Sequence, residues 1–142
     1  MRTAVNGLIP MAHVADVQRS ADFYRFLGME VRGSLQDSLG GLRWVHVACG
    51  EAHLMLARAS GPIVASDQAV LFYLYAPNLI DLRKQLLASG VNVSAITYPQ
   101  YMPKGEVRLE DLDGYVLLIG SGVAQSFGLF CLLQSQPSGD LA

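Results

Sequence analysis

Three histidines, His13, His46 and His53, and a single tryptophan, Trp44, are the side chains of this chain best suited to chemistry. Imidazoles ligate divalent metals and move protons near neutral pH. An indole offers a flat apolar wall on which another ring can stack. Strand alternation decides which of them could act together. Ile9, Met11 and His13 fall on one face of a strand, and His53 and Met55 on one face of another. If Val45 and Val47 turn towards a helix, Trp44 and His46 turn the other way. Three imidazoles meeting there would make a His₃ set suited to zinc. Unmet, each is a partly exposed or hydrogen-bonded histidine, and linear spacing leaves both readings open. Cys49 and Cys131 have neither metal nor redox spacing. Cys49, beside a hairpin glycine, reads as a small buried thiol. No glycine-rich loop leads from a strand into a helix, so phosphate cradling by backbone amides is not supported.

The elements that must position these residues come from an internal repeat. Asp16 caps an amphipathic stretch, with Val17, Ala21, Tyr24 and Leu27 on one face, that closes at Gly28. Asn78, with Asp81 three residues on, caps a second, with Leu79, Leu82, Leu86 and Leu87 on one face, that closes at Gly90. Both caps and both glycines are displaced by the same 62 residues, which makes the chain two copies of one unit. Around the helices the spacing predicts strands over 8–14, 29–32, 43–48 and 52–57, then over 70–75, 91–97, 106–110 and 115–119. The order is βαβββ twice, an α+β fold: unit one over 8–58, a linker over 59–68 and unit two over 69–120, within a single domain of 1–125. Any site is expected between the two units. The segment 126–142 is a tail, apolar from Phe127 to Leu133 and frayed beyond.

With 142 residues, 51% apolar and only 15% charged, the chain can bury a sizeable core. A net charge of −2 argues against a nucleic-acid partner. No apolar run is long enough to cross a bilayer, and no secretory leader is evident, so a cytoplasmic protein without a membrane partner is expected.

The paired βαβββ pattern resembles the vicinal oxygen chelate superfamily, and so does the turn Asp111-Leu112-Asp113-Gly114-Tyr115 before the last strand. The segment Pro10-Met11-Ala12-His13-Val14-Ala15-Asp16-Val17, running on to Leu27-Gly28, is most similar to its glyoxalase/bleomycin-resistance branch. The family's usual turn is Asp-Pro-Asp-Gly; Leu112 stands here in place of the proline. The resemblance covers about residues 8–120 and implies a paired, barrel-like mixed sheet enclosing a cleft. It also implies a homodimer, sometimes formed by exchanging units.

Enzymes of the superfamily place four metal ligands on inward strand faces. Carried over one at a time, those positions are Ile9, the stretch around His53, Leu71 and Leu118. Three are aliphatic, with no lone pair for a cation, so no cofactor is expected. The cleft that the resemblance implies would then be apolar, lined by Ile9, Met11, Trp44, Met55, Leu71, Tyr73 and Leu118. Tyr98 and Tyr101, in a loop with Pro99 and Pro103, either close over a ligand or pack the loop down. His13, His46, Arg43, Glu106 and Arg108 lie near the rim, and Arg108 could meet an anionic group. The leading expectation is a metal-free binding protein of the bleomycin-resistance type. It would sequester a hydrophobic or aromatic small molecule using Ile9, Met11, His13, Trp44, His46, His53, Met55, Leu71, Tyr73, Tyr101, Arg108 and Leu118. Two alternatives stand beside it. One is a lyase, isomerase or dioxygenase using a divalent metal held by a rearranged site of His13, His46 and His53. The other is an interaction module whose cleft is filled by its own side chains.

Overall fold

Helix α1 (Val17–Arg25) begins where Asp16, in extended backbone, accepts the Arg19 N–H on its side chain at 3.0 Å. It closes through Gly28, whose φ of 84° belongs to the left-handed region that glycine enters without strain. Helix α2 (Leu79–Ala88) repeats the plan: Asn78 accepts the Asp81 N–H, and Gly90 has φ 81°. The expected caps and stops therefore form. The structure, a computed structural model, describes residues 2–123. The tail 126–142, with its apolar stretch Phe127 to Leu133, lies outside the described residues, as does Cys131.

The fold is α+β. The chain divides into two compact units, one of Met1–Val70 with Glu110–Val116, the other of Leu71–Leu109 with the chain from Leu117 on. In the first unit, strands β1 (Met11–Val14), β2 (Glu30–Gln36), β3 (Leu42–Cys49) and β4 (Ala52–Arg58) form a sheet ordered β1-β4-β3-β2. β1 and β4 are parallel and the other pairs antiparallel. α1 packs on one face, against β2, β3 and β4. There Val14, Val17, Tyr24, Val45, Val47 and Leu56 are fully buried, each contributing about 1.5–3 kcal/mol by leaving water. In the second unit, β5 (Leu71–Ala76), β6 (Glu106–Glu110) and β7 (Val116–Ser121) form a sheet ordered β5-β7-β6. Leu79, Leu86, Val107, Leu109, Leu117 and Ile119 make its core.

Four expectations change. β1 starts at Met11, not residue 8: Pro10 has no N–H to give a ladder, and Leu8 lies exposed before it. β2 runs on to Gln36, past the expected end at residue 32, through a register shift between Val31 and Gly33. Residues 91–97 form no continuous strand, only the bridges Val93 with Leu109 and Thr97 with Glu106. The ladder breaks because the Arg108 N–H goes to the Ser94 hydroxyl, a side chain taking the place of a backbone acceptor. Cys49 is exposed rather than buried, since alternation slips at the end of β3 where both Val47 and Ala48 turn inward. On the helices, Leu82 and Leu27 are half-buried and Leu87 is exposed; the buried stripes are narrower than the spacing suggests.

The turn from Asp111 to Tyr115 belongs to the first unit and is held by a polar cluster there. The Tyr24 hydroxyl donates to Asp111 Oδ2 at 2.6 Å, while Asp111 Oδ1 accepts the N–H groups of Asp113 and Tyr115, each at 2.9 Å. Asp113 Oδ1 accepts the Ala15 N–H, and the Tyr115 hydroxyl donates to the His13 carbonyl. Asp111 is only 7% exposed, and burial pushes its carboxyl above the usual range although the Tyr24 bond pulls the other way. Gly114 has φ 85°, and a Cβ there would meet the Ala65 backbone at 2.7 Å. Leu112 is exposed and makes none of these bonds, which is why the turn forms without the proline. Replacing Tyr24 by Phe leaves one oxygen of Asp111 buried and unpartnered. We expect a loss of about 2 kcal/mol in urea unfolding; an unchanged midpoint would contradict this role.

Candidate functional site

Burying Ala12, Val14, Val45, Val47, Leu54 and Leu56 under α1 turns their neighbours to the opposite, open face of the first sheet. Strand register arranges that face in rows. Met11 pairs with Met55, Met55 with His46, and His46 with Gly33. In the next row His13 pairs with Ala57, Ala57 with Trp44, and Trp44 with Leu35. The expected side of Trp44 and His46 is thus the one they occupy.

The Trp44 ring lies over Gly33: a Cβ at that glycine would sit 3.6 Å from the indole. Beside it is a shallow depression of about 400 Å³ lined by Leu35, Arg43, Trp44, Ala57 and Arg58. Arg58 Nη1 is 2.9 Å from Asp37 Oδ2. Asp37 Oδ1 takes the N–H groups of Leu39 and Gly41. The guanidinium of Arg58, and after it these N–H groups, hold the Asp37 carboxyl below the usual carboxylate range. Leu35, Ala57 and Arg58 were not among the expected site residues. The signal for Leu35 is the continuation of β2 past Arg32, which the register shift at Val31/Gly33 hides from a strict count of two; the signal for Ala57 is alternation on β4 from His53 and Met55.

Two of the three histidines meet. His46 Nε2 and His53 Nδ1 are 2.9 Å apart. His13 does not join them. It stands two strands from His46 and one row away, and four residues along from His53's level, roughly 12 to 14 Å between Cα atoms. The rearranged site of His13, His46 and His53 therefore does not form. Among the described residues no group of three His, Cys, Asp or Glu side chains could hold a metal ion. The metal implied by the resemblance does not fit this chain, because Ile9, Leu71 and Leu118 offer no donor and His46 with His53 supplies only two nitrogens. Ile9 lies before β1 and is partly exposed.

In the second unit Leu71 and Tyr73 alternate on β5, Arg108 lies on β6 and Leu118 on β7, while Tyr101 stands in the loop before β6. Leu71 is exposed and Leu118 half-buried. The Tyr73 hydroxyl donates to Glu106 Oε2 at 2.6 Å, and the Tyr101 hydroxyl to Glu106 Oε1 at 2.8 Å. Glu106, only 6% exposed, is thus an internal anchor rather than a rim charge. Tyr101 pins its loop down through that bond, and Met102 is buried behind it. Tyr73 reaches Glu106 across β7 because Gly120 has no side chain: a Cβ there would come 2.8 Å from the Tyr73 hydroxyl and 2.6 Å from the end of Met102. Burial first, and then Glu106, pushes the Tyr73 phenol up; for Tyr101 the bond to Glu106 is the larger cause. Arg108 is exposed on edge strand β6 and has an interaction of its own.

The family model of the Glyoxalase/Bleomycin resistance protein/Dioxygenase superfamily matches residues 10–119. A sequence comparison with curated proteins gives no match. Among solved structures, a bleomycin-binding protein complexed with bleomycin is 17% identical, covering 83% of this chain and 99% of its own, with a TM-score of 0.67. TnmS3, an antibiotic binding protein from Streptomyces sp. CB03234, is 20% identical over 84% and 98%, TM-score 0.66. The fosfomycin resistance protein FosX from Mesorhizobium loti is 12% identical over 89% and 99%, TM-score 0.65. At these identities the likeness establishes the fold. No helix among the described residues is long and apolar enough to cross a membrane.

Two outcomes follow from the glycines and the phenols. Gly120→Ala is expected to push Tyr73 off Glu106 and cost about 1–2 kcal/mol. Gly33→Ala, which meets only ordinary contacts, is expected to be neutral or slightly stabilising; equal losses in urea unfolding would contradict the distinction. A phenol held above its ordinary value supports the folded chain fully below pH about 10, where unfolded phenols titrate, and that support is lost as pH rises through the folded value. Glu106→Gln is expected to bring the Tyr101 phenol back towards its ordinary range, read by phenolate absorbance; an unshifted titration would refute the assignment.

Proposed function

We infer the function from one premise: the chain belongs to the Glyoxalase/Bleomycin resistance protein/Dioxygenase superfamily. Within it, this is a metal-free small-molecule-binding protein that sequesters a hydrophobic or aromatic compound. The observation that carries the reading is Trp44, whose ring edge reaches over Gly33 beside a depression also lined by Leu35 and Ala57. An indole fixed at that level gives a ligand ring area to bury and a surface to stack on without ordering a mobile side chain first. Aliphatic residues at Ile9, Leu71 and Leu118, where metal-dependent relatives need donors, support binding without a metal. Two of the similar structures are described as binding bleomycin or an antibiotic, which fits the same class of activity. Met11 and Leu71 expose apolar surface on the open faces, and a two-fold homodimer is proposed to cover part of it.

One observation favours a second reading. His46 and His53, 2.9 Å apart, can share a proton between them, the kind of pair an acid–base enzyme uses.

Titration of Trp44 fluorescence with flat aromatic compounds separates the two. Binding is expected at one ligand per chain, with the compound recovered unchanged. Trp44→Ala, measured by calorimetry because it removes the fluorescent reporter, is expected to weaken it at least about tenfold, about 1.4 kcal/mol, and His53→Ala to leave it intact. Turnover that His53→Ala abolishes would overturn the binding-protein reading in favour of the enzyme.

A further inference from the structure

We propose that the compound held at Trp44 is an aromatic bearing a hydroxyl group, and that His46, set by His53, reads that hydroxyl. This rests on the binding-protein reading and narrows its ligand class.

Alternation and register place the groups together. On β3, Val45 and Val47 are buried, while Trp44 and His46 are half-buried and share the other face. On β4, Leu54 and Leu56 are buried, which puts His53 and Met55 on that same open face. The indole leans from its own level towards that of His46. Its Cζ3 and Cη2 atoms lie 3.6 and 3.7 Å from a Cβ placed at Gly33, and Gly33 is the register partner of His46. Facing Cβ positions on paired strands are about 5 Å apart. A ring stacked on the indole therefore directs its edge towards His46.

The pair's chemistry follows from its proton count. His46 Nε2 and His53 Nδ1 are 2.9 Å apart, with ring centroids 5.1 Å apart and the planes tilted by 36°. Among the described residues neither imidazole makes another hydrogen bond. A neutral imidazole carries one N–H and one bare nitrogen. The mutual bond uses one of each. His46 Nδ1 and His53 Nε2 are then left with one N–H and one bare nitrogen between them, whichever tautomers the rings take. A phenolic hydroxyl suits either state of His46 Nδ1: it gives its proton to the bare nitrogen or accepts from the N–H. An aryl ether can only accept, and a carboxylate finds a single donor. His53 is a positioning residue. Its bond to His46 fixes a ring that a ligand would otherwise have to order.

The test compares naphthol with methoxynaphthalene, which share the two rings and differ in the hydroxyl proton. Binding is measured by calorimetry, because naphthol fluoresces where Trp44 does. The titration is run at about pH 8, above the ordinary histidine range and below that of a phenol. Naphthol is expected to bind the wild type about three- to tenfold more tightly. In His46→Phe, which keeps a flat ring and removes both nitrogens, the ratio is expected to fall to about one while the affinity for methoxynaphthalene holds. His46→Gln, which keeps a donor and an acceptor, is expected to retain part of the preference. His53→Phe is expected to reduce it without changing the affinity for methoxynaphthalene. Circular dichroism establishes that each variant is folded, and His46→Leu carries the same test if His46→Phe is not. Equal binding of the two compounds by the wild type, or a preference that survives loss of the His46 nitrogens, overturns the assignment of the pair and leaves the aromatic site standing. Failure of both compounds to bind overturns the binding-protein reading and this proposal with it.

Discussion

A strand offers its side chains to two faces in turn, and among the described residues the first sheet has one face packed by a helix of its own unit. Val45, Val47, Leu54 and Leu56 take that face and lie beneath α1. Trp44, His46, Met55 and Ala57 are then committed to the open side, whatever their own preferences. Their apolar and aromatic character is not explained by the core, because they are not in it. The site thus follows from hydrophobic burial elsewhere: removing any one of the covered side chains would cost core packing, while the open face keeps its residues free for a ligand. Glycine has a corresponding part in the second sheet, where Gly120 lets Tyr73 reach across a strand.

The cluster around Asp111 plays the corresponding part for the backbone. A buried carboxylate is costly unless its lone pairs are used, and here one phenol and two amides use them. The same turn reaches the start of the chain through the Ala15 N–H and the His13 carbonyl, which ties β1 into its unit. Tyr24 therefore serves two links of the chain from sequence to site: its ring is core under the sheet, and its hydroxyl secures the turn that holds β1 in place.

Much of this was legible in the residues. The caps Asp16 and Asn78, the stop signals at Gly28 and Gly90, and the repeat between them gave the order of elements, because capping chemistry is local. The faces of Trp44, His46 and Met55 followed from alternation, which is local too. What was not legible depended on pairing across strands. The bulge between Val31 and Gly33 slips the count of two, so Leu35 was not recognised as the neighbour of Trp44. The meeting of His46 with His53 and the isolation of His13 are set by strand order, β1-β4-β3, which no linear spacing contains. Glu106 looked like a rim charge because its two phenol partners are five and thirty-three residues away. Ser94 broke an expected strand by a single hydroxyl bond.

The central claim is that ligand binds the open face of the first sheet on the row through Trp44. Amide chemical shifts recorded as an aromatic ligand is added would test it most directly. The account expects the largest changes at Gly33, Leu35, Trp44 and Ala57, with α1 nearly silent because it lies behind the sheet. Changes confined to α1 or to the turn at Asp111, with the Trp44 row undisturbed, would contradict it.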